Sequence, residues 1–299
     1  MRSSLFHSFL LVLTALIWGA AFLAQKLGAD HIGPYAFIVG RSILGGLSLL
    51  LVLAFRRSAK PQAHPASRSV LAGFWCGLAL FVASLLQQVG IAYTTPGISG
   101  FLTANYVLLV PILGLFLGTR PRFYVWIGAA LSLVGLYFIC VDGAIAIGKG
   151  EAYTLLCALG FAIQILVVAH FVQRCDVLVM SCAQFFTGAL LGLPFLLLPS
   201  ESTLLSSSSL RAALPGILFC GVFSSGIAYT LQNIAQGRVA PALASILMSL
   251  ESVFALLFGW LIRHDVTTPR QLSGCALVFA AVILTQVCDT RLAPASSRS

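Results

Sequence analysis

Two ionisable side chains stand inside long apolar runs, and they are the first candidates for chemistry. Glu251 interrupts "SILMSLESVFALLFGW" (245–260) and Arg41 interrupts "FIVGRSILGGL" (37–47). A charge at the centre of a bilayer costs about 3 kcal/mol on insertion scales, so residues of this kind usually face a cavity and act there. If Glu251 and Arg41 pair, the carboxylate stays ionised and the pair fixes helix packing. If they do not, the low-dielectric interior favours the protonated carboxyl, and Glu251 becomes a proton carrier. Amides form a second set: Gln87, Gln88, Asn105, Gln164, Gln184, Gln232 and Asn233. They could bind a zwitterionic or hydroxylated solute without fixing its charge, or simply join helices by hydrogen bonds. Trp18, Tyr106 and Tyr229 could line the same cavity and stack on a solute. Trp75, Trp126 and His170, near the ends of apolar runs, read as interfacial residues.

Enzyme chemistry has little to build on. "GISG" (97–100) matches the GxSG pattern of intramembrane serine proteases, but activating Ser99 needs a histidine on a neighbouring helix, and only His170, within "AHFVQ" (169–173), is deep enough to consider. A serine there also suits a helix start. The eight cysteines form no CxxC pair, and His170, Cys175 and Cys182 lack zinc-ligand spacing, so neither metal nor cofactor is expected. No G-x-x-x-x-G-K-[ST] loop is present, which leaves solute and ion gradients as the drive, a proton being the simplest coupling ion.

The elements that must position these residues follow from composition. The 299 residues are 59% hydrophobic and 8% charged, with mean hydropathy +1.01. Soluble domains carry about 25% charged residues, so this chain could not cover a soluble surface and is read as a polytopic, all-α membrane protein. Apolar runs predict ten helices, at 6–29, 33–55, 69–93, 96–118, 122–141, 150–173, 177–198, 211–236, 239–262 and 269–289. Each is long enough to cross a hydrocarbon core of about 30 Å. The net charge of +9 suggests topology rather than nucleic acid. With the N-terminus inside, eleven of the 17 basic residues fall in cytoplasmic segments, "RRSAKPQAHPASR" (56–68) above all, and "PSESTLLSSSSLR" (199–211) is external. The positive-inside rule thus puts both termini in the cytoplasm. GxxxG spacings at Gly73/Gly77, Gly114/Gly118 and Gly188/Gly192 allow close helix approach. Pro111, inside the fourth helix, predicts a kink that could gate a path.

The chain also repeats itself. "TALIWGAAFLAQKL" (14–27) lies over "CALGFAIQILVVAH" (157–170) at an offset of 143, which places Arg41 over Gln184. "LLQQVGIAYTTPGISGFLTANYVLLVPILG" (85–114) lies over "TLQNIAQGRVAPALASILMSLESVFALLFG" (230–259) at an offset of 145. Gln87 then meets Gln232, and Tyr106 meets Glu251. Five helices per half is an odd number, so the halves, 6–141 and 150–289, are inverted, with a solute site expected at their interface near the midplane. Gln87 and Gln232 are expected to face the pseudo-two-fold axis there.

"WGAAF", "GFLTANYVLLVPILGLFLG" and "AQGRVAPALASILMSLESVFALLFGWL", in this order and duplicated, resemble the EamA-type transporters of the drug/metabolite transporter superfamily, across about residues 6–289. The resemblance implies ten helices, cytoplasmic termini, a bacterial inner membrane and export of small metabolites or amino acids. The chain departs from that pattern at Ser252, where proline is usual after the glutamate, at Thr119 and Asp265 near the helix ends, and at Asn105, where an apolar residue is usual. The expected mechanism is rocking of the two halves about a midplane site lined by helices 1–4 and 6–9, with helices 5 and 10 supporting them from outside. A channel or facilitator is the alternative class, and would need a continuous pore with rings of charge or carbonyls.

Overall fold

The structure is a computed structural model that describes residues 2–56, 65–141, 147–202, 206–264 and 266–292. Arg57, Lys60 and Asp265 lie outside the described residues. The described residues are mostly helical, without strands. Ten helices are long and apolar enough to cross a membrane: α1 (Leu5–Ala29), α2 (Pro34–Phe55), α3 (Ala66–Tyr93), α4 (Gly97–Phe116), α5 (Phe123–Cys140), α6 (Lys149–Arg174), α7 (Val177–Leu197), α8 (Ser207–Gln236), α9 (Pro241–Ile262) and α10 (Pro269–Arg291). The largest departure from the expected limits is at α8, which starts four residues early. Ser206 accepts a hydrogen bond from the Ser209 backbone N–H at 3.1 Å, so a serine run that reads as loop begins with an N-cap instead.

The helices pack as an inverted pair of five-helix units. Helix α1 packs on α8 and α9, and its counterpart α6 packs on α3 and α4. Helix α2 packs on α8, and α7 on α3. Three pairs are their own counterparts: α2 with α7, α4 with α9, and α5 with α10. That list is unchanged when the halves are exchanged, as a pseudo-two-fold axis requires. Burial ranks the helices: 67% of the most apolar stretch of α9 is buried, against 39% for α5 and 28% for α10. Helix α9 is therefore central, and the α5–α10 pair lies outside, its exposed leucines, valines and phenylalanines suited to lipid.

Small residues set the close crossings. A Cβ on Gly135 would lie 2.7 Å from the Gly274 carbonyl oxygen, and one on Gly274 would lie 2.5 Å from that of Gly135. Gly73 and Gly77 press on α7, and Gly188 and Gly192 on α2. The third GxxxG pair does something else. Gly118 has φ +79° and nothing near it, and the Thr119 N–H bonds back to the Gly114 carbonyl at 2.9 Å, a left-handed helix terminator.

Both halves break one helix at equivalent places. Helix α4 is interrupted at Ala104–Asn105 and α9 at Ser249, and 104 and 249 differ by the repeat offset. Asn105 donates to the Phe101 and Leu102 carbonyls at 3.0 and 3.1 Å, and Ser249 to Ile246 at 2.7 Å. These side chains give the carbonyls at the breaks a hydrogen-bond donor in a dry interior. The interruption in α4 thus precedes Pro111, which sits within the continuous segment Tyr106–Phe116.

Candidate functional site

Just past the two breaks, Tyr106 and Glu251 face each other. Tyr106 Oη donates to Glu251 Oε1 at 3.1 Å, and both side chains line one central cavity. Trp18, Gln25, Arg41, Gln87, Thr103 and Tyr229 line it too, so seven helices (α1–α4, α6, α8 and α9) supply its wall. Trp18 packs on Tyr229 with ring centroids 4.7 Å apart, and Phe185 of α7 meets Tyr229 edge-on at 5.8 Å. Arg41 does not pair with Glu251. Its Nε donates to Ser225 Oγ at 3.1 Å and its Nη2 to Ser224 Oγ at 3.0 Å. Those serines sit on consecutive positions of Phe219–Ala228, a π-helical stretch of α8. Widened turns of this kind are frequent at functional sites.

The candidate residues divide into three groups. Trp18, Arg41, Gln87, Tyr106, Tyr229 and Glu251 border the central cavity. Gln184, the repeat counterpart of Arg41, borders a smaller recess that Arg41 also reaches, and neither end of its amide has a hydrogen-bond partner. The rest join helices. Gln88 donates to the Gln25 carbonyl at 3.2 Å. Gln232 donates to Gln164 at 3.3 Å and to Gln236 at 2.9 Å. Asn233 donates to Ser181 at 2.8 Å, and Asn105 caps the break. Gln87 therefore borders the cavity, where it donates to Thr103 of α4 at 3.3 Å, while its counterpart Gln232 is spent on α6 and its own helix. Gln25, Thr103, Ser224 and Ser225 were not singled out from sequence. Hydroxyls are common in membrane helices and leave no signal, whereas Gln25 stands one residue before Lys26 and merges with the polar helix end.

Ser99 and His170 are not assembled for catalysis. Ser99 lies near the start of α4 and His170 near the end of α6, which places them at opposite membrane faces. The Ser99 hydroxyl has no hydrogen-bond partner and His170 packs edge-on against Phe171 at 4.8 Å. Among the described residues no group of histidine, cysteine and acidic residues could hold a metal.

The cavity is contracted. It offers about 30 Å³ to the centres of water molecules, and one water needs about 10–15 Å³ on that measure. Two larger recesses flank it, of about 360 and 410 Å³. They are counterparts under the repeat: Leu23, Gly97 and Ala255 border the first, and their equivalents Leu166, Ala242 and Val110 the second. The first lies toward the face where α1 ends, and Phe22 borders both it and the central cavity. The second lies toward the N-terminal face and is bordered by Arg120, Arg122, Arg238 and Asp289.

Both faces are tied at α2. Toward the N-terminal face, Arg56 grips Asp176 with two hydrogen bonds of 3.2 and 2.7 Å, and Asp176 caps α7 through the N–H groups of Leu178 and Val179 at 3.0 and 3.2 Å. At the other face the buried Glu201 accepts from the Ala36 N–H at 3.0 Å in the first turn of α2.

Known proteins share this organisation. The profile of the EamA-like transporter family matches residues 5–141 and again residues 148–287. An uncharacterized transporter of Archaeoglobus fulgidus is 29% identical over 92% of this chain and 83% of its own length. A protein of Streptantibioticus cattleyicolor named a probable terminal-alkyne amino-acid exporter is 25% identical over 92% and 91%. A crystal structure 18% identical superposes with a TM-score of 0.77 over 98% of this chain and all of the other. With both halves matched separately, ten membrane helices and transporters among its relatives, the chain is an integral multi-pass membrane protein that belongs to the EamA-like transporter family.

Proposed function

We propose that the protein is a secondary exporter of small metabolites or amino acids, with Glu251 as its proton carrier. The observation that carries this reading is the Tyr106–Glu251 contact inside a contracted cavity, set between two recesses that are repeat counterparts. Two equivalent recesses on either side of one small central site suit alternating access: widening one path while closing the other would expose the site to each face in turn. Residues 6–141 and 150–289 are the rocking units. Glu251 is 4% exposed and has no cationic partner among the described residues, so a proton is the charge it can most readily take up. A bacterial inner membrane with both termini in the cytoplasm fits the basic residues at the N-terminal face.

The test is transport in liposomes. Purified protein loaded with labelled amino acids should show saturable counterflow that speeds up with an imposed proton gradient. Glu251→Gln should keep counterflow but lose the gradient's effect. Single-molecule currents would instead mean a channel, and a Glu251→Gln protein that still responds to the gradient would remove the proton carrier.

A further inference from the structure

Arg41 is 5% exposed, borders the central cavity, and has two serine hydroxyls for partners. Among the described residues the ion pairs are Lys26–Asp30 and Arg56–Asp176, so no protein carboxylate is in contact with it; Glu251, on the same cavity, bonds Tyr106 instead. A buried guanidinium is normally paired with an anion, and a helix that needed only packing would be better served by an apolar residue. The two serines use one N–H of Nε and one of Nη2. The three remaining donors are both Nη1 hydrogens and the second Nη2 hydrogen, and one from each nitrogen makes the two-point grip of guanidinium on a planar carboxylate. Two more polar atoms on the same wall are unspent: Trp18 Nε1, a donor, and Oε1 of Gln25, whose side chain is 5% exposed, an acceptor. They offer complementary contacts to the rest of a small polar solute.

We propose that Arg41, held by Ser224 and Ser225, is an anion site that takes the carboxylate group of the transported solute. The inference rests on the transporter reading, and adds that the solute enters the site as a carboxylate rather than as an amine or a neutral molecule. The serines fix the guanidinium plane from α8 while Arg41 itself rides on α2, so the solute's charge is read where the two halves meet.

The test is binding, independent of transport. Purified protein is heated with amino acids, with the corresponding amino-acid amides, with the corresponding decarboxylated amines, with acetate and lactate, and with sodium chloride at matched ionic strength. The expected result is that carboxylates raise the unfolding midpoint of the wild-type protein while amides and amines do not. Arg41→Gln should abolish that shift, and Arg41→Lys, which keeps the charge without the planar fork, should need about tenfold more carboxylate. Equal shifts from acids and amides, a carboxylate shift that survives Arg41→Gln, or no shift from any carboxylate would overturn the proposal. A shift from chloride alone would also overturn it, by assigning the site to a resident inorganic ion. If Arg41→Gln does not fold, the acid–amide contrast in the wild type and the Arg41→Lys titration still decide. Failure here leaves proton-driven counterflow untouched, and failure of counterflow leaves the binding contrast measurable.

Discussion

Tyr106 and Glu251 occupy the same position of the repeat, 145 residues apart, and they touch: the phenol donates to the carboxyl at 3.1 Å. A residue can meet its own counterpart only on the axis that relates the two. The contact therefore marks the pseudo-two-fold axis, and the axis runs through the central cavity.

The first prediction follows from that contact. Tyr106→Phe removes one hydrogen bond and leaves the ring in place. A hydrogen bond to a carboxyl is worth about 1.5–3 kcal/mol when the partner is charged, so the acceleration of counterflow by a proton gradient should fall by about tenfold or more, with counterflow itself retained and the protein still folded.

Gln87 and Gln232 differ in whether they reach the cavity. Gln87→Leu should weaken solute binding by about tenfold and, because the 3.3 Å hydrogen bond to Thr103 is lost, also lower the unfolding midpoint. Gln232→Leu should lower the midpoint alone: it leaves Gln164 and Gln236 without a donor, at a cost of about 1 kcal/mol in a membrane interior. A thermal-shift titration of both variants with a bound solute reads both effects.

The outer α5–α10 pair is predicted to be needed for assembly and not for selectivity. Gly135→Val forces a side chain onto the Gly274 carbonyl, overpacking that costs about 1–3 kcal/mol. The unfolding midpoint should fall while the ranking of transported solutes stays the same.

The Asp176 clamp should respond to pH. Burial works to raise the affinity of this carboxyl for protons, but the hydrogen bonds from Arg56 and from the Val179 and Leu178 N–H groups outweigh it, and the group titrates below the ordinary carboxylate range. A depressed value means that its contribution is complete above the unfolded-state value and is lost as pH falls through the folded-state one. Asp176→Ala should therefore cost about 1 kcal/mol at neutral pH, the usual loss for an N-cap, and the difference from wild type should shrink in strong acid. Unfolding midpoints of the two proteins across acidic pH check this.

The fold was legible because the bilayer imposes one-dimensional rules. Hydropathy and helix length marked out ten spans, and the match between 85–114 and 230–259 implied inversion before any contact was known. The site was legible only by helix, not by direction. Sequence places Gln87 and Gln232 at equivalent backbone positions, yet one faces the cavity and the other Gln164. The repeat relates backbones, while side-chain surroundings depend on unlike neighbours such as Gln236. The breaks at Ala104–Asn105 and Ser249 were equally hidden, since no proline or glycine marks them. The side chains that stabilise them, Asn105 and Ser249, are of types that also occur in unbroken helices. Ser224 and Ser225 escaped notice for the same reason.

The Tyr106–Glu251 contact also explains what fusing two halves into one chain achieves. In a dimer of two identical five-helix subunits, a residue on the symmetry axis would be forced to face a copy of itself: acid against acid, or phenol against phenol. Two like carboxyls compete for one proton, and two phenols supply no acid at all. A single chain escapes this constraint, because its two axial positions can mutate independently. The acid and its donor at the centre of this protein are a pairing that no symmetric dimer of either half could make. The same freedom lets Arg41 stand opposite a neutral Gln184 instead of a second arginine.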